Sequence, residues 1–167
     1  MQHLVHTGIP WDEIMSAVTV VEAFDTRVSR ADASADISLP VRQRSTGELA
    51  RRHTEAWLAE WDLSECADVV KTIIGELIQN VVKHTDSALV TVVLAWHTND
   101  HRLLITVGDT GRAMPGTHGP WVRRCGATAE FGRGLALVAD LTEQAWFKAK
   151  PDAGLNRYAL LNLDGPS

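Results

Sequence analysis

No apolar run in this chain approaches the ~20 consecutive residues that a bilayer-spanning helix requires, so no membrane span is expected. Basic charge is also in short supply. Lys and Arg number 16 against 21 Asp and Glu, a net charge of −5, which leaves no electrostatic case for a nucleic-acid surface. The clustered Arg42, Arg44, Arg51 and Arg52 read as a solvated helix face. There are only two cysteines, Cys66 and Cys125, and neither stands in a C-x-x-C or other metal-like spacing. A bridge between them is open, but nothing in the sequence demands one, and Cys66 reads as core. The opening "MQHLVHTGIPWDE" lacks a basic start followed by an oily block, so no secretory signal is read and the cytoplasm is the expected location. Repeats and low-complexity tracts are absent as well.

What is present suits one domain of 36–167 preceded by an extension of 1–35. In the extension, "PWDEIMSAVTVVEAF" fits either a short amphipathic helix or a strand. Its apolar residues would be costly to expose, so it is expected to pack on the domain or on a second copy. "SRADASAD" (29–36) reads as a connector and "ISLPV" as a short edge strand. Ser45 and Glu48 form a capping-box pattern that opens a helix to about Trp61, with Leu49, Trp57, Leu58 and Trp61 on one face. Ser64 can cap the next helix. Its apolar positions Cys66, Val69, Val70, Ile73, Ile74, Leu77, Ile78 and Val81 make a broad core-facing stripe ending near His84. Residues 87–96 and 102–109 form a strand pair across the turn "HTNDH". Residues 110–131 read as a long Gly- and Pro-bearing loop, 134–144 as a helix, and "AWFKAK" and "NRYALLNL" as two last strands about the turn "PDAG". This order implies an α+β fold with helices layered on a largely antiparallel sheet.

Three polar or glycine-bearing patches interrupt that pattern. In "GELIQNVVKH", Glu76, Asn80 and His84 recur every four residues; each step of four turns a helix by only about 40°, so they form one slanting row at the edge of the stripe. An Asn oxygen is a hard neutral ligand suited to Mg²⁺, and a carboxylate one turn earlier can orient or deprotonate an attacking hydroxyl. His84 falls further into the apolar arc, where a packed histidine is the plainer reading. In "VGDTGRAMP", Asp109 ends an apolar strand and can accept a hydrogen bond from an exocyclic amine, with Gly111 allowing close backbone approach. In "EFGRGLALV", Gly132 and Gly134 stand just before a helix, where backbone N–H groups can cradle phosphate. Each patch alone also fits a solvated helix face or an ordinary turn.

Taken in order, E-x-x-x-N-x-x-x-H on a helix, D-x-G after a strand, a loose loop and G-x-G-L resemble the GHKL (Bergerat-fold) ATPases. Within that superfamily the chain looks most like the anti-sigma-factor serine kinases and related ATP-binding regulatory domains. "ELIQNVVKH" and "GRGLALVADL" carry the likeness, which covers roughly residues 36–163. The resemblance implies a two-layer α/β sandwich, helices on one face of a largely antiparallel mixed sheet, with ATP and Mg²⁺ as cofactors. It makes Asn80 the Mg²⁺ ligand, Glu76 the catalytic base or water-orienting group, and Asp109 the reader of the adenine amine beside Gly111. Gly132 and Gly134 would close on the phosphates, 112–131 would be a lid, and His84 matches a motif position near the nucleotide.

The implied activity is phosphoryl transfer to a Ser or Thr of an anti-sigma-factor antagonist, with a sigma factor as second partner and a homodimer as the assembly. A non-catalytic ATP-dependent binding module stands as the alternative. A sensor-kinase fragment is disfavoured, because no paired helix presents a phosphoacceptor histidine upstream. Two departures stand out: Ala113 replaces the usual second glycine, and Asn156 replaces the threonine often found on the penultimate strand. In the lid, Arg123 and Arg124 can reach phosphate or face water.

Overall fold

The structure, a computed structural model, describes residues 2–4, 31–112, 130–150 and 153–164. Most of the expected lid, residues 113–129 with Ala113, Arg123, Arg124 and Cys125, lies outside the described residues, as does the helix-or-strand segment of the N-terminal extension; the lid's expected last residues, 130 and 131, open a helix instead. The described elements are β1 (Gln2–Leu4), β2 (Ala33–Pro40), α1 (Thr46–Glu60), a 3₁₀ turn at Ser64–Cys66 and α2 (Ala67–His84). They continue with β3 (Leu89–His97), β4 (Arg102–Asp109), α3 (Glu130–Leu141), β5 (Gln144–Ala149) and β6 (Leu155–Asn162). The strands make one sheet in the order β1-β5-β6-β4-β3-β2, and every described pairing is antiparallel. This is the α+β sandwich that the order of elements implied; no described pair is parallel.

Register decides which residues meet the helices. Leu94 lies opposite Ile105, Ile105 opposite Ala159, and Ala159 opposite Ala145, giving one apolar row across four strands. That row joins Val70, Ile73, Ile74, Leu77, Ile78 and Val81 of α2 in a single core. Each such aliphatic side chain contributes about 1.5–3 kcal/mol on burial, so α2 is held as the central helix between α1 and α3. On the other face of the sheet, Ala95, Leu104, Tyr158 and Leu160 are buried too, although the helical core does not include them. Among the described residues no helix is long and apolar enough to cross a membrane.

Four local expectations change. The strand expected at "ISLPV" begins at Ala33, inside the expected connector, because all eight residues from Ala33 to Pro40 pair with β3. Ladder bonding there outweighs the weak strand preference of Ala, Ser and Asp. Ser45 precedes α1 but makes no side-chain cap; it has αR geometry, and Thr46 instead donates its hydroxyl to the Pro40 carbonyl. The face α1 buries is the four-spaced row Thr46, Ala50, Thr54 and Leu58, with Leu49, Trp57 and Trp61 only partly buried. Ser64 opens a 3₁₀ turn rather than capping α2, whose first helical residue is Ala67. Cys66 is a free, half-buried thiol that donates to the Leu63 carbonyl at 3.1 Å, and burial pushes its pKa up. Arg42, Arg44, Arg51 and Arg52 are exposed, in line with a solvated face.

Candidate functional site

Glu76 and His84 stand eight positions apart on α2, a rise of about 12 Å, with Asn80 midway in the same slanting row. At one end, Glu76 is half-buried and lies against α3. A Cβ built on Gly134 would overlap Glu76 Oε2 and stand 3.3 Å from its Cδ, so the Glu76 carboxylate occupies space that a side chain at residue 134 would take. The expected start of α3 is corrected here. The helix begins at Glu130, so Gly132 and Gly134 lie inside it rather than ahead of it. Gly132 falls in the first turn, where backbone N–H groups have no intrahelical acceptor.

One turn beyond Glu76, Asn80 is buried, and its Oδ1 has no hydrogen-bond partner among the described residues. An unsatisfied buried amide oxygen costs roughly 1–3 kcal/mol, so it is a donor atom suited to an electron-pair acceptor such as a cation. His84, the last residue of α2, is buried as well. Burial lowers its pKa, with the positive charges of Lys83 and Arg157 acting in the same direction.

At the far end, Asp109 closes β4 with only 1% of its surface exposed. Its Oδ1 accepts the Gly111 N–H at 3.0 Å, and its backbone carbonyl accepts Lys150 Nζ at 2.8 Å. Its Oδ2 accepts from Arg157 Nη1 in a buried ion pair. Burial pushes the Arg157 pKa down, and Asp109 opposes that by charge and hydrogen bond. The loop after α2 is stitched to the end of β4. Asp86 Oδ1 accepts the Arg112 N–H at 2.6 Å, and Ser87 Oγ accepts the Thr110 N–H at 3.0 Å. Gly111 sits in this seam, where a Cβ would meet the Ser87 backbone, with Cα at 2.8 Å. Gly154, at φ +93°, lets the turn between β5 and β6 press on the Asp109 carbonyl.

The structure thus brings Glu76 against Gly134, and Asp109 against Gly111, with Asn80 and His84 along the helix between those ends. Sequence reasoning missed Arg157 and Lys150. A signal for Arg157 was available: it is the one charged residue on the phase of β6 that carries Ala159 and Leu161. Asn156, in contrast, lies opposite Gly108 on the other face of the sheet, and its Nδ2 donates to Tyr158 Oη at 3.2 Å. A groove of about 1030 Å³ lies at the opposite end of the sandwich, lined by Trp61, Cys66, Trp96 and Leu141 among others, and none of the sequence-predicted residues lines it.

The family model of the histidine kinase-like ATPase domain matches residues 39–155, well over half of the chain. The chain belongs to this family of histidine kinase-like ATPase domains. Among solved structures it is similar to the crystal structure of the RsbU and RsbW domains of Rv1364c from Mycobacterium tuberculosis. Identity is 19% and the TM-score 0.49, with 78% of this chain covered. The match takes in 32% of that chain, so this chain spans about a third of its length. No curated protein matches by sequence.

Proposed function

We propose that this chain binds ATP with Mg²⁺ and acts as an anti-sigma-type serine/threonine protein kinase. Its substrate would be an antagonist protein and its second partner a sigma factor, with a cytoplasmic homodimer as the working form. The observation that carries this reading is the contact between Glu76 and Gly134. It sets a carboxylate against the first turns of α3, one helical turn from Asn80, whose Oδ1 has no partner among the described residues.

Phosphoryl transfer asks a protein mainly to position groups and offset charge. Asn80 Oδ1 fits a Mg²⁺ ligand, being buried, neutral, hard and without another partner among the described residues. Bound there, the ion would neutralise charge on the phosphate oxygens. Glu76 is half-buried, which suits a group that must accept the proton of an incoming Ser or Thr hydroxyl. The N–H groups at the start of α3, Gly132 among them, are oriented by the helix dipole toward an anion. Asp109 holds an acceptor for the adenine amine at the other end of the row.

The test is incubation with labelled ATP, Mg²⁺ and antagonist proteins encoded nearby, with phosphoserine detection for wild type and Glu76→Gln. Phosphoserine on the antagonist that is lost in E76Q is the expected result. Persistence in E76Q would remove Glu76 from the base role. Binding of antagonist without any phosphorylation would make the chain a non-catalytic module.

A further inference from the structure

Arg157 has no part in the chemistry above, yet it is among the most deeply buried large side chains described, 1% exposed. Taking a guanidinium out of water costs several kcal/mol, and an aliphatic residue in the same place on β6 would pack without that penalty. Its position opposite Val107 turns it toward the helical layer, where its Nη1 donates to Asp109 Oδ2 and, at 3.4 Å, to the Leu155 carbonyl. Asp109 is anchored from two further sides, by the Gly111 N–H on Oδ1 and by Lys150 on its carbonyl. The result is a fixed couple of one carboxylate and one guanidinium, an acceptor directly beside a donor, near the His84 end of α2 and remote from Glu76.

We propose that Arg157 is a base-reading residue: held by Asp109, its guanidinium donates to ring nitrogen N1 of an adenine whose exocyclic amine donates to Asp109. This deepens the ATP-binding reading and rests on it. Adenine presents a donor (the amine) next to an acceptor (N1), the complement of the Asp109–Arg157 couple. Guanine in the same pose would set its carbonyl oxygen against the carboxylate and its N1–H against the guanidinium, and both contacts repel. The pair therefore selects adenine by attraction and rejects guanine by charge. Water or a hydroxyl at the same place could donate or accept, and would discriminate less.

The experiment is calorimetric titration of the full chain with ATP, with GTP and with 1-deaza-ATP, which carries C–H in place of N1. Loss of one hydrogen bond from a charged donor should weaken 1-deaza-ATP by about tenfold or more relative to ATP, with GTP weaker still. In Arg157→Met that difference between ATP and 1-deaza-ATP should vanish. Arg157→Lys, which keeps the charge, serves if the Met variant does not fold, and should narrow the difference. Equal binding of ATP and 1-deaza-ATP by the wild type would overturn the role of Arg157 while leaving ATP binding intact. Failure to bind ATP at all would remove the underlying reading, and this inference with it.

Discussion

Replacing Gly134 with alanine separates stability from the proposed catalysis at one atom. In a helix interior, Ala is favoured over Gly by about 0.8–1.0 kcal/mol, so the substitution gains helix stability. Against this, the new methyl overlaps Glu76 Oε2, with Cδ at 3.3 Å and the Glu76 Cβ at 3.9 Å. To restore ordinary contact the carboxylate must retreat by about 1 Å. Glu76 is half-buried and the clash is at the far end of a flexible side chain, so it can rotate away, at about 0.5–1.5 kcal/mol if it leaves its rotamer. The two terms nearly cancel, and urea unfolding should find Gly134→Ala within about 1 kcal/mol of wild type. Turnover should not cancel. A catalytic group misplaced by about 1 Å can cost on the order of 100-fold, so phosphoryl transfer or ATP hydrolysis should fall by that order while ATP affinity changes little. A folded G134A variant with wild-type turnover would refute the placement of Glu76 at the reacting phosphate. A loss of several kcal/mol instead would show that Glu76 is locked in place.

The Asp109–Arg157 pair should be expensive to break from one side. Arg157→Met leaves a buried carboxylate without its cation and should cost about 3–5 kcal/mol in denaturant unfolding, with most of the loss recovered in R157M combined with Asp109→Asn. His84 should impose an acid limit on stability. Its folded pKa lies below the ordinary value of 6.5, so as pH falls through that value the unfolded chain gains a proton that the folded chain does not. Stability present at neutral pH is then lost on acidification, and His84→Gln should flatten that part of a Tm-against-pH series. Asn80→Ala should abolish the Mg²⁺ dependence of ATP binding in titrations with and without chelator, while relieving an unsatisfied polar group worth roughly 1–3 kcal/mol in the apo protein. The apolar segment of the N-terminal extension is proposed to pack on the domain or a second copy, and limited proteolysis of the full chain should leave it protected; rapid native cleavage within residues 1–35 would contradict this.

Much of the architecture was legible because periodicity survives folding. Arg102–Asp109 is a strand with the bounds its apolar run and flanking turn indicated, and α2 buries six of the eight stripe residues read from the sequence. Elements were missed where neighbours overrule local preference. Glycine disfavours helix interiors, which argues for starting α3 after Gly134; packing against α2, with Glu76 in the gap, lets the helix begin at Glu130. Ala33–Asp36 is weak as a strand until β3 supplies its ladder partners.

By itself the sequence determined the row of Glu76, Asn80 and His84, because a helix of fixed pitch sets which side chains share a face. It likewise determined the strand that delivers Asp109 and the order of motifs that marks the family. Only tertiary structure decided that Glu76 meets Gly134, that Asn80 Oδ1 has no partner among the described residues, and that Asp109 is matched by Arg157 rather than by Asn156. The reason is physical: helix and strand periods fix a side chain's direction within its own element. Contact across elements depends on sheet register and interhelical distance, which only the packed core sets.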